Sequence, residues 1–272
     1  MKFRAIPLTD VVVSETGFSL DSFHREAGDP IAVERTLRLA QDQGINFFSL
    51  GRNGHVTDLY FSAAFSKERR QRLVVAAVET WSSFGDLEAA VEGRLRGASL
   101  ERLDLLLLDG IEPADLDGPV AGAIARLREA GKIRHAGVST PATGPLLDDL
   151  RLIERAGLTF IETELDLGRQ AAVARLDRLQ QVEERRLTVL ARAERNDDPA
   201  FAFLWNGTDR TSLQLSIGFG LSFDWVGSVI PAISSDTDLR EATRAPLATP
   251  LTGAEAAEIR AVDERLRRLV TA

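Results

Sequence analysis

Acidic side chains closing apolar runs are the groups in this chain best placed to do chemistry. Glu79 ends the run LVVAAVE, Asp109 ends RLDLLLLD, and Glu162 and Glu164 stand two apart in FIETELDL. Alternate residues of a strand share a face, so an inward Phe160 would bring Glu162 and Glu164 inward with it. Carboxylates crowded into one opening drive at least one pKa upward, which yields a general acid or base near neutral pH. Arg52, Arg192 and His55 supply cationic or proton-carrying partners nearby, and Trp81 and Phe160 supply ring surface for a pocket wall. The chain has no cysteine, which excludes disulfides, thiolate nucleophiles and Cys-ligated metals. Glu79, Asp109 and His55 carry atoms that a hard cation accepts, but no ligand spacing accompanies them and no metal is expected.

These residues need a frame. Strand-like runs fall at 11–17, 45–49, 73–79, 103–109, 134–139, 159–164, 187–193 and 227–231. They are rich in Val, Ile, Leu and Phe with little alternation, as expected of parallel strands covered on both faces. Segments of helical period separate them, and a last helix closes the chain. Asp29-Pro30 is a capping acid before a first-turn proline, and Thr252 with Glu255 has the spacing of a capping box. Eight strand-then-helix units predict an α/β fold of the (β/α)8 TIM-barrel type, a single domain over residues 1–272. In such a barrel the acids above stand at the carboxyl ends of the strands, where active sites are built. The stretch 194–209 is expected to be a loop over that opening.

Composition narrows the function classes. A formal charge of -8 without a basic stripe excludes a nucleic-acid partner, because phosphate binding needs a positive face. No run is long and apolar enough for a membrane span or a signal peptide, so a cytoplasmic protein acting on a small molecule is expected. Nothing in the sequence sets the oligomeric state.

Several segments resemble the aldo-keto reductases, in the right order along nearly the whole chain. GINFFSLG is similar to the family's second-strand motif and RLDLLLLD to its fourth. LREAGKIRHAGVST is very similar to L-x-x-x-G-K-I-R-x-I-G-V-S-N, FIETELDL looks like an altered Q-V-E-Y-N strand, and SVIPAISSDTDLREA is similar to the segment that holds the cofactor's adenosine phosphate. The resemblance implies a TIM barrel, NADPH, and an Asp, Tyr, Lys and His at the mouth. Position by position, these four fall at Ser49, at Gly54 or its neighbours Asn53 and His55, at Glu79, and at Asp109. The nicotinamide-holding glutamine falls at Phe160 and the asparagine at Thr140, while the adenosine-phosphate contacts fall at Ala232, Asp238 and Ala242.

All four reaction-centre identities differ from the family's. The expectation is therefore a barrel that has left redox chemistry and uses no cofactor: a lyase, isomerase or cyclase. Glu79 and Asp109 would be its acid/base pair, assisted by His55, Glu162 or Glu164, with Ser49, Arg52, Trp81, Phe160 and Arg192 shaping the substrate pocket. Two alternatives stand beside it: a non-catalytic pseudo-oxidoreductase that binds a ligand or partner, and an atypical NADPH-dependent aldo-keto reductase, for which Tyr60 would have to reach the mouth.

Overall fold

The protein is represented by a computed structural model that describes every residue except 22–28, 53, 117, 182–186, 207 and 272. His24 and Asn53 lie outside the described residues. The strands are β1 (Phe3–Ala5), β2 (Val12–Ser14), β3 (Phe18–Ser19), β4 (Phe47–Ser49), β5 (Val74–Thr80), β6 (Leu103–Asp109), β7 (Ile133–Ser139), β8 (Phe160–Glu164), β9 (Thr188–Ala193) and β10 (Val226–Pro231). The α-helices are α1 (Pro30–Asp42), α2 (Gly54–Ala64), α3 (Lys67–Arg70), α4 (Phe84–Gly97), α5 (Pro113–Leu116), α6 (Pro119–Glu129), α7 (Leu150–Arg155), α8 (Val173–Leu176), α9 (Ser212–Leu221), α10 (Asp236–Arg244) and α11 (Gly253–Thr271).

Strands β3 to β10 pair in chain order, all in parallel. The last meets the first at a bridge between Thr16 and Val229, where the Gly17 N–H donates to the Val229 carbonyl and the Val229 N–H donates to the Glu15 carbonyl. The expected (β/α)8 barrel is the observed fold. The expected punctuation is present too. Asp29 accepts the Ile31 N–H ahead of Pro30, and Thr252 and Glu255 cap α11 reciprocally.

One strand was expected in the wrong place. The apolar run 11–17 splits, and its middle forms β2, which pairs antiparallel with β1 instead of entering the barrel. The first barrel strand is the short β3. Hairpin β1–β2 lies across the amino ends of the barrel strands. There Asn46 binds Ser14 and Val12, and Asp10 takes Arg134 and His135. Ile6, Val11 and Val13 of this hairpin join Phe47, Ala76, Val78, Leu105, Leu107, Phe160, Leu190 and Ile230 in a cluster inside the barrel. The pull of that interior explains the difference: three apolar side chains are better buried as a plug than as one more strand. Helix 170–185 was also expected to be continuous. Its described residues instead form the single turn α8 followed by a 3-10 turn, Asp177–Gln181, and 182–185 lie outside the described residues.

The second core lies between strands and helices and takes the other face of each strand, including Phe48, Val75, Ala77, Leu106, Leu108, Ile161 and Val189. Side chains therefore alternate strictly, residues 47, 76, 78, 105, 107 and 160 inward and their neighbours outward. The Phe47 ring, 1% exposed, fills space that Gly17 leaves open, since a Cβ there would lie 2.7 Å from the ring. Replacing Phe47 with Ala should lower the free energy of unfolding by about 3–5 kcal/mol, read from urea denaturation followed by circular dichroism.

Candidate active site

The alternation decides which acids reach the mouth. On β8 it carries Phe160, Glu162 and Glu164 inward; on β6 it carries Asp109 inward; on β4 it carries Ser49. Of these, Ser49, Glu162 and Glu164 join neighbouring loops in lining a cavity of about 180 Å³ at the carboxyl ends of the strands. Glu162 lies at its base with Ser49 and Asp21. Arg52, Arg169, Arg192, Glu164 and Glu194 stand around it, and Val78, Ala193, Ile230 and Ala232 form its apolar wall. A cavity of this size suits the reacting end of a small molecule.

Glu162 is the centre of the arrangement. It is 2% exposed. The Ser139 hydroxyl donates to its Oε1 at 2.9 Å and itself accepts from Arg52 Nη2 at 2.6 Å. Arg192 Nε lies 3.6 Å from the carboxyl and Arg52 Nη2 3.8 Å from it. Burial raises the Glu162 pKa above the usual carboxyl range, and the two guanidiniums and Ser139 pull it only part of the way back. Glu164 sits higher on the rim, paired with Arg192 and accepting the Ala142 N–H at 3.0 Å. Asp109 is committed to holding Arg52: it takes Nε at 2.9 Å through one oxygen and the Gly110 N–H at 2.9 Å through the other.

Asp21, two residues beyond the short β3, is part of the site and was missed by the sequence reading. It accepts the Arg52 N–H at 2.7 Å and occupies the space beside Gly51, whose φ of +68° admits a residue without Cβ. A Cβ on Gly51 would stand 2.1 Å from the Asp21 carboxyl carbon.

Other expectations need correction. Glu79 does not face the mouth: it occupies the outward register of β5, and its inward neighbour Val78 lines the cavity instead. Its carboxylate lies 3.5 Å from Arg94 on α4, in the layer behind the barrel wall. His55 is exposed on the first turn of α2 and does not line the cavity. Trp81 packs against the outer core, and Phe160 sits one layer below the mouth, 6.2 Å from the His135 ring. Strand pairing sets Glu162, not Phe160, level with Ser139. Tyr60 packs on the outer core from α2 and does not line the cavity. Of the expected catalytic set, the cavity thus gathers Glu162 and Glu164, with Ser49, Arg52 and Arg192 around them and Asp109 anchoring the rim. Among the described residues no group of three or more His, Asp or Glu is placed to hold a metal ion.

No protein-family model matches the sequence, and no curated protein matches it. Solved structures do. The holo form of aldo-keto reductase AKR11C1 from Bacillus halodurans superposes with a TM-score of 0.80 at 22% identity, over 96% of each chain. Its apo form gives 0.77 at 24% identity, again over 96% of each. The thermostable aldo-keto reductase Tm1743, solved with the inhibitor epalrestat, gives 0.81 at 17% identity, over 96% of this chain and all of that one. The barrel is the aldo-keto reductase fold, as the motif resemblance implied. The expectation of a cofactor-free lyase, isomerase or cyclase, or of a pseudo-oxidoreductase, does not stand. The neighbours that share the fold are reductases, and one member of the acid/base pair on which that expectation rested faces away from the mouth.

Behind the wall, burial lifts the Asp58 pKa to about 7 against the pull of Arg94, with Glu79 raising it further. A raised carboxyl binds a proton in the folded state that the unfolded chain releases, so its contribution falls as pH rises from ~4 toward 7. Unfolding by urea at pH 5 and pH 8 should show the wild type losing stability over this interval, and Asp58→Asn losing distinctly less.

Proposed function

We propose that this barrel is a nicotinamide-dependent oxidoreductase that reduces a small carbonyl compound, with Glu162 in the role that the related reductases give to a tyrosine. The observation that carries the reading is a carboxyl group buried at the base of the mouth cavity. Its pKa is lifted by burial, and two guanidiniums stand within 4 Å. The fold it shares with aldo-keto reductases supports this reaction class by analogy.

The chain's own residues fit one form of the cofactor better than the other. Ala193, Ile230 and Ala232 give an apolar wall that would suit a nicotinamide ring. The segment that resembles the adenosine-phosphate site leads into α10, where Ser235 caps the helix and Asp238 accepts from the Ser234 N–H and hydroxyl and from Ser235. Arg195, the cation nearest them, is shared between Asp238 and Glu241. The negative charge of Asp238, where the resemblance puts the contacts to the adenosine phosphate, disfavours a 2′-phosphate, so the residues fit NADH better than NADPH. The chemistry such a cofactor would supply is a hydride for the carbonyl carbon.

The protein groups do the rest. Arg52 and Arg192 polarise the carbonyl oxygen and stabilise the charge that develops on it. Glu162, with its Oε1 fixed by the Ser139 hydroxyl, delivers a proton from its other oxygen to that alkoxide, and solvent reprotonates it between turnovers. Ser139 keeps the carboxyl aimed, because its single hydroxyl proton goes to Glu162 while its lone pair takes Arg52.

Purified protein titrated with NADH should quench tryptophan fluorescence at concentrations at least tenfold below those needed for NADPH. Equal or tighter NADPH binding would remove the proposed role of Asp238, and no binding of either would remove the reductase reading. In NADH-dependent reduction of small aldehydes, Glu162→Gln should lower kcat about 10²–10⁴-fold, the usual loss on removing a general acid. The wild-type rate should fall as pH rises through the Glu162 pKa, since reduction needs its protonated form, and this limb should be absent in Glu162→Gln.

A further inference from the structure

On α4 the buried stripe of Leu87 and Val91 continues one turn later not with hydrocarbon but with Arg94, 4% exposed. A guanidinium taken out of water needs compensation, and a hydrophobic residue would serve packing alone as well or better. Two carboxylates answer it, Asp58 Oδ1 at 3.1 Å and Glu79 Oε1 at 3.5 Å from Nε. Neither contact is a well-formed hydrogen bond: both of those oxygens, Nε and Nη1 lack a hydrogen-bond partner. The well-formed bond runs elsewhere, from Nη2 to the Gly51 carbonyl at 2.8 Å. Gly54 passes against the same group, since a Cβ there would stand 3.0 Å from Nη1.

Gly51 precedes the residue that enters the mouth. Its left-handed φ turns the chain so that Arg52 points at Asp109 and Ser139, and the Arg52 N–H is held by Asp21 on the cavity side. The strap of residues 50–52 is thus gripped from both sides of the barrel wall, by Asp21 within and by Arg94 behind.

We propose that Arg94 is a positioning residue: through the Gly51 carbonyl it fixes the backbone from which Arg52 reaches Glu162, and Asp58 and Glu79 serve to aim its guanidinium. Its catalytic consequence rests on the reading of the mouth as a carbonyl-reducing site; the structural coupling does not. Glu79 then matters from behind the wall, without touching a substrate.

A double-mutant cycle with hydrogen exchange separates the two. Arg94→Met should lower kcat/KM for NADH-dependent aldehyde reduction about 10–100-fold, the range expected of a misplacement near 1 Å. In an Arg52→Ala background it should lower kcat/KM less than twofold further. Losses that multiply in the double variant overturn the proposal. In exchange mass spectrometry, the peptide over residues 49–57 should lose protection in Arg94→Met while that over 87–93 keeps it; equal loosening of both marks Arg94 as general packing and overturns the proposal. Should Arg94→Met not fold, Glu79→Gln leaves the guanidinium in place and should give a smaller loss with the same non-additivity toward Arg52→Ala; a multiplying loss there overturns it equally. A wild type with no carbonyl-reducing activity defeats the functional reading, and the exchange arm still decides whether Arg94 holds the strap.

Discussion

A closed barrel admits every second side chain of each strand to its interior, and the whole site depends on that alternation. It sends Phe160, Glu162 and Glu164 inward along β8 at rising height, so that one becomes core, one a buried acid and one a rim anion. It also sends Val78 inward and Glu79 outward on β5. A one-residue difference in register exchanges a charge in the mouth for a charge behind the wall, with opposite consequences for chemistry.

Charge at the mouth is arranged so that Glu162 is the least solvated group and the arginines are the most committed. Arg52 answers Asp109 and Ser139, Arg192 answers Glu164, and Arg169 answers Asp166 and Glu194. Each cation is held by a rim acid with one face left toward the cavity. For the proposed reduction this would be preorganisation in the electrostatic sense: the dipoles and charges are set in advance, so little reorganisation would be needed as charge develops.

Most of the fold was legible in the sequence. The parallel strands announce themselves as unbroken apolar runs, and GKIR followed by GVS fixes one strand and its helix. The hairpin was not legible, because 11–17 reads as a barrel strand by composition, and only the competition for the interior shows that it plugs the far end. Glu162, Glu164, Arg52 and Arg192 were readable from strand ends and period. Asp21 was not, since the two-residue β3 leaves no periodicity to follow. Glu79 was misplaced because motif matching settles position to within a residue and orientation needs the pairing. Arg94 did leave a signal: an arginine at the next buried position after Leu87 and Val91 is a charge on an apolar stripe.

The hairpin at the amino ends has a consequence for traffic. Ile6, Val11 and Val13 seal the lower end of the barrel, so the interior is a cup and not a tube. Anything that enters or leaves the interior must pass one doorway, and whichever molecule lies deeper has to wait for whichever lies above it. For the proposed reductase, such a geometry would impose an order of arrival and departure on whatever lies across the rim and whatever lies beneath it.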